Sequence, residues 1–151
     1  MEKVNFLTAS SIVKDKAGNL WLGTNGKGLI KLNETTGERH FFRSKRDDMT
    51  SLSSDIVTAL HEDYTNKMWI GTFMGGLNVY DGGRFKRYEV QEKNNKGLSN
   101  QSIYGITEDS DQNLWIATLG AELTDWTPVE RYLKILIETI ANYVLISFFP
   151  H

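Results

Sequence analysis

The sequence predicts an all-β chain assembled from repeated sheets, and three observations carry that reading. A five-residue phrase centred on tryptophan occurs three times, as Leu20-Trp21-Leu22-Gly23-Thr24, Met68-Trp69-Ile70-Gly71-Thr72 and Leu114-Trp115-Ile116-Ala117-Thr118. The tryptophans stand 48 and 46 residues apart, a period at which repetition signals stacked supersecondary units. The flanks recur in register too, with Asp15, Asp63 and Asp109 six residues before each tryptophan and Leu29, Leu77 and Leu123 eight after it. Within each unit, apolar residues alternate or run for a few positions between Gly, Asn, Asp and Ser clusters, the pattern of short strands joined by turns. Four strands at this period match one blade of a β-propeller, whose repeats run about 40 to 50 residues. The expectation is a partial β-propeller of about three four-stranded blades over residues 1–126 (about 1–46, 47–92 and 93–126), with residues 127–151 forming a C-terminal α-helix and tail.

Each element has its own local reason. The first unit opens through Val4 to Ala9, and the later two open through a shared lead-in, Ser51-Leu52-Ser53-Ser54 and Gly97-Leu98-Ser99-Asn100. Next comes a strand carrying Ile12, Leu60 or Ile106, then a hairpin tip. Asp15-Lys16-Ala17-Gly18-Asn19 and Asp109-Ser110-Asp111-Gln112-Asn113 supply the residues that tolerate left-handed backbone and bond their own main chain. The tryptophan strand follows, and Trp21, Trp69 and Trp115 are expected to fill the space between adjacent blades. The glycine-rich stretches from Gly23 to Gly28 and from Gly71 to Gly76 then turn the chain back. In the second unit this places strands near 56–62, 67–72, 76–81 and 84–90.

The wording of the repeat resembles the two-component regulator propeller repeat. The matching residues are Asp15 to Leu32, Ser51 to Ser54 with Glu62-Asp63 to Tyr88, and Glu108-Asp109 to Leu123. The resemblance implies many such blades in the parent, forming the periplasmic sensor region of Bacteroides-type hybrid histidine kinases that detect glycans. This chain then reads as part of such a sensor, binding a saccharide-like ligand in the parent, with no kinase segment and no catalysis of its own. Its third unit departs from the pattern, with Ala117 and Glu122 where glycine stands earlier.

A net charge of −2 gives no electrostatic footprint for nucleic acid. The absence of cysteine suits either a reducing compartment or a disulfide-free periplasmic domain. Met1 to Ser11 contain no apolar core of a signal peptide, so a periplasmic location rests on the resemblance alone.

Candidate chemistry is sparse. His40, His61 and His151 fall in separate contexts, so neither a metal nor another cofactor is expected. Asp109 to Asn113 resembles the opening of a calcium loop, but Gly120 stands where a bidentate Glu is needed. The acid pairs Glu62-Asp63 and Glu108-Asp109 invite a glycosidase reading, yet both recur as part of the repeat frame and neighbours on a strand face opposite ways. Ligand contact is expected where the frame is constant and its contents vary: Asn25 and Lys27 in the first loop, Phe73 and Met74 in the second. The competing readings are a structural module that self-associates through exposed blade faces and its C-terminal helix and, more remotely, a propeller carbohydrate-active enzyme.

From Thr127 the period changes. Thr127, Pro128 and Glu130 form a helix-start signature, and Tyr132, Leu133, Leu136, Ile137, Ile140 and Val144 follow at helical spacing. An amphipathic helix over about 128–146 is expected, covering a blade face or pairing with another chain. The alternatives are a last strand at 129–132, or a tail without selected function that follows an altered reading frame. Lys134, Glu138 and Asn142 interrupt the apolar run, which argues against membrane insertion.

Overall fold

The computed structural model describes residues 9–88, 98, 101–119, 134–140 and 143–149. They form three four-stranded antiparallel sheets. The first is a meander of β1 (Ala9–Lys14), β2 (Asn19–Thr24), β3 (Leu29–Asn33) and β4 (Arg39–Phe42). The second repeats it with β5 (Val57–Glu62), β6 (Met68–Thr72), β7 (Gly76–Asp81) and β8 (Arg84–Tyr88), within two residues of the expected bounds. The third contains β9 (Ile103–Glu108), β10 (Leu114–Leu119), β11 (Lys134–Ile140) and β12 (Tyr143–Phe149) in the order β9-β10-β12-β11. Strands β1, β5 and β9 pack side by side as the inner edge of successive blades.

Over 134–140 and 143–146 the expected 128–146 helix is corrected by β11 and β12, and the rest of its range lies outside the described residues. Among the described residues there is no helix, and β12 pairs along β10 from Leu114↔Phe148 to Leu119↔Tyr143 while β11 pairs along β12. Two physical reasons favour strands. Ile135, Ile137, Thr139, Val144 and Ile146 are β-branched, and the apolar residues do not keep to one helical face. The backbone groups on the free edge of β10 also require partners, which a helix lying across the blade would not supply. The strand alternative at 129–132 and the Leu123 position lie outside the described residues.

Two apolar cores lie between blades, and each begins at a tryptophan. Trp21 and Leu29 of the first blade meet Leu52, Val57, Ile70 and Phe85 of the second. Trp69 and Leu77 of the second meet Leu98, Ile103, Leu114 and Ile116 associated with the third. Trp21 and Trp69 are 2% and 6% exposed, whereas Trp115, with no further blade behind it among the described residues, is half-buried. The shared lead-in is thereby explained: Leu52 and Leu98 are plugs driven between blades, 0% and 3% exposed. Buried Asn78 binds Ser53 through its side-chain oxygen (3.1 Å) and nitrogen (2.7 Å), and Arg87 donates to the carbonyls of Ser51 (3.0 Å) and Asp48 (2.9 Å), so β7 and β8 hold the plug in place.

Gly23 and Gly71 are required by the same close approach. A Cβ at Gly71 would stand 2.5 Å from Ile103 Cγ2 on the next blade and 3.2 Å from Ala59 on the neighbouring strand; at Gly23 it would stand 2.6 Å from Val57 Cγ1. Ala117, the departure in the third unit, pairs with Gly105 at the position held by Ser11 and Ala59 in the other blades. The small residue has changed strands, and the cross-strand volume is conserved.

Candidate functional site

The aspartates of the repeat form the rigid end of each blade. Asp15, Asp63 and Asp109 each accept a hydrogen bond from their tryptophan's Nε1, at 2.8, 2.7 and 2.7 Å. The other oxygen gathers the hairpin tip: Asp63 Oδ1 takes the Thr65 N–H (2.8 Å), the Thr65 hydroxyl (2.6 Å) and the Lys67 N–H (3.0 Å). Gly18, Asn66 and Gln112 supply the left-handed residue at corresponding places in the three tips, with φ of 86°, 67° and 67°. Burial opposes ionisation at all three carboxyls, but the bonds from side chains and turn amides outweigh it, so each is held below the ordinary carboxylate range, Asp109 at about 2.

The neighbouring glutamates join blades to one another. Glu62 Oε2 accepts the Lys16 N–H of the preceding tip at 2.9 Å. Glu108 repeats this one blade later, its Oε1 3.4 Å from the Tyr64 amide nitrogen and its Oε2 3.4 Å from His61 Nε2. Both acid pairs therefore have positions in the frame: one carboxylate closes its own tip and the other reaches the previous blade.

At the opposite end of the inner strands the frame opens into a cleft of about 380 Å³. Ser10, Thr58 and Tyr104 line it from β1, β5 and β9, each standing eleven residues before its tryptophan. The Ser10 hydroxyl donates to the Val57 carbonyl and the Thr58 hydroxyl to the Ile103 carbonyl, so each joins its strand to the next. Tyr104 is 46% exposed, and among the described residues its phenol has no hydrogen-bond partner. Asn25 and Phe73 line the cleft from the loops that follow β2 and β6, with Ile56 and Val57 completing it. Backbone pairing causes that convergence: Asn25 bridges Ile56, and the Phe73 N–H donates to the Ile56 carbonyl at 2.9 Å.

Two of the four residues singled out as ligand contacts thus meet in one place, and two do not. Lys27 is exposed on its loop, its N–H donating to Thr24 Oγ1 at 3.0 Å. Met74 is 68% exposed with φ 57°, its N–H tied to Ser102 Oγ at 3.1 Å. Neither lines the cleft. Ser10, Thr58 and Tyr104 line the cleft without having been expected there, although counting eleven back from each tryptophan finds a column whose contents change from two small hydroxyls to an aromatic. None of the described lining residues is Asp, Glu, Lys, Arg or His. Among the described residues no three His, Asp or Glu side chains gather as a metal site, and no helix is long and apolar enough to cross a membrane.

Comparison with known proteins finds the same repeat. A family model described as two component regulator propeller matches residues 4–26, 51–74 and 97–120. Histidine kinase P4 of Formosa agariphila is 32% identical over 169 aligned positions, covering 78% of this chain and 12% of that protein. Among solved structures, the extracellular domain of the hybrid two-component system BT3049 of B. thetaiotaomicron is 30% identical with a TM-score of 0.54, covering 72% of this chain and 13% of that one. The extracellular domain of BT4673 from the same organism shares the fold, with a TM-score of 0.58 at 22% identity over 80% of this chain and 16% of that one. The chain therefore spans about an eighth of the length of the first relatives it matches.

Proposed function

Because the chain belongs to the two-component regulator propeller family and is homologous to extracellular sensor domains of two-component systems, we propose that it is part of a ligand-sensing region outside the cytoplasm, and that its cleft binds a saccharide. One observation carries the reading. Successive units bring Asn25 and Phe73 together over the inner-strand residues at one end of the blades, in a cleft with aromatic and amide faces and no charged side chain among its described lining residues. Aromatic rings beside a few polar groups suit a ligand with both apolar C–H faces and hydroxyls. The acid pairs support binding over catalysis, because Asp63 and Asp109 hold tryptophans and Glu62 and Glu108 reach the preceding blade.

The test is calorimetric titration of the chain and of Phe73→Ala with a panel of oligosaccharides. Binding by the chain, weakened about tenfold by Phe73→Ala, is the expected result, equivalent to the loss of roughly 1.4 kcal/mol. No binding to any member of the panel, or binding indifferent to Phe73, refutes it.

A second reading, self-association, has its own observation. Ile12 and Phe41 on the first blade are 61% and 51% exposed, whereas their counterparts in the second blade are Leu60, buried against the first, and Arg87, which holds the plug. An apolar sheet face of this kind is a pairing surface. Light scattering would give a mass above that of one chain, returning to it in Ile12→Ser/Phe41→Ser; a monomer in both cases removes this reading.

A further inference from the structure

We propose that the cleft takes uncharged saccharides and that Tyr104 is the platform on which one sugar face stacks. The inference rests on the saccharide reading above and narrows it.

The argument begins with the inner-strand column. Ser10 and Thr58 each spend their hydroxyl proton on the carbonyl of the next inner strand, which a short side chain bearing oxygen next to Cβ can reach. Tyr104 cannot repeat that bond, since its oxygen lies at the far end of a ring, and it makes no other hydrogen bond among the described residues. Among the described residues the framework therefore gives it no bond to make, yet it holds a large aromatic ring 46% exposed at the wall of the cleft. Phe73, half-buried and fixed by its backbone bond to Ile56, contributes a second ring. Ser10 and Thr58, having donated their protons inward, offer lone pairs that accept from ligand hydroxyls, and the Asn25 amide, without a partner among the described residues, can both donate and accept. A carboxylate or sulfate on the ligand would find no cation among the described lining residues to offset its desolvation.

The experiment titrates the chain with linear gluco-, manno- and xylo-oligosaccharides and with oligogalacturonides of the same lengths, alongside Tyr104→Ser, which restores the column's small hydroxyl, and Tyr104→Phe, which keeps the ring. Neutral oligosaccharide should bind with upfield ring-current shifts of its C–H protons; Tyr104→Ser should abolish those shifts and weaken binding at least about tenfold, while Tyr104→Phe retains both. Preferential binding of oligogalacturonides overturns the proposal. So does neutral binding unchanged in Tyr104→Ser but lost in Phe73→Ala, an outcome that leaves the saccharide reading standing. Failure of every oligosaccharide to bind overturns both.

Discussion

Replacing Asp63 by Ala tests the physical core of this fold, because the carboxylate is buried and its four accepted bonds are unequal. Thr65 and Lys67 are exposed at the hairpin tip, so their released amides turn to water at little cost. The Trp69 indole N–H, on a side chain only 6% exposed, cannot do so as readily. A buried donor left without its acceptor costs about 1–3 kcal/mol, and a hydrogen bond to a charged group contributes about 1.5–3 kcal/mol. The expected loss for Asp63→Ala is therefore about 3 kcal/mol, a large share of the stability of a small domain. Urea unfolding followed by far-ultraviolet circular dichroism measures it, read as a midpoint shift at constant slope. Trp69→Phe keeps an aromatic body and removes the donor, so Asp63→Ala should cost about 1–2 kcal/mol less in that background. A coupling below about 0.5 kcal/mol would refute the argument and make the recurring Asp a turn residue alone. Asp109→Ala should cost less than Asp63→Ala, since half-buried Trp115 can reach water.

Three other perturbations have defined outcomes. The three repeat aspartates have folded pKa values below their unfolded ones, so their stabilisation is complete above the ordinary carboxylate value and is lost as pH falls through the folded values. For Asp109 that loss runs from 3.8 down to about 2, and an acid titration of the unfolding midpoint that stays flat over this window contradicts it. Gly71→Ala drives a Cβ to 2.5 Å from Ile103 Cγ2 and should destabilise by about 1–3 kcal/mol, measured by calorimetric melting. Adding Ala59→Gly, in imitation of the Ala117 and Gly105 pair, should restore only part of the loss because Ile103 remains. Arg87→Ala removes the guanidinium from the carbonyls of Ser51 and Asp48, so hydrogen exchange should quicken across residues 48–54 while β2 keeps its protection.

The period, the tryptophan phrase and the turn chemistry determined the three units and the strands of the first two, because those features are local: alternation sets the strand and left-handed residues set the hairpin tip. The sequence also marked Asp15, Asp63 and Asp109, but as frame residues, and the reason for the six-residue spacing to tryptophan became visible only when carboxylate and indole met across the hairpin. Tertiary structure decided the rest. The Ser51 to Ser54 lead-in became a plug because Arg87 and Asn78, more than twenty residues away, hold it between blades. Residues 134–149 carry enough apolar residues at helical spacing to read as a helix, and the unpaired edge of β10 drew 134–140 and 143–149 into strands; no local pattern records that an edge elsewhere needs partners. The cleft shows the same division. Asn25 and Phe73 could be picked out as variable residues in a constant frame, but their meeting above Tyr104 depends on one blade's loop pairing with the next blade's inner strand, a contact between residues 31 apart that sequence spacing alone does not reveal.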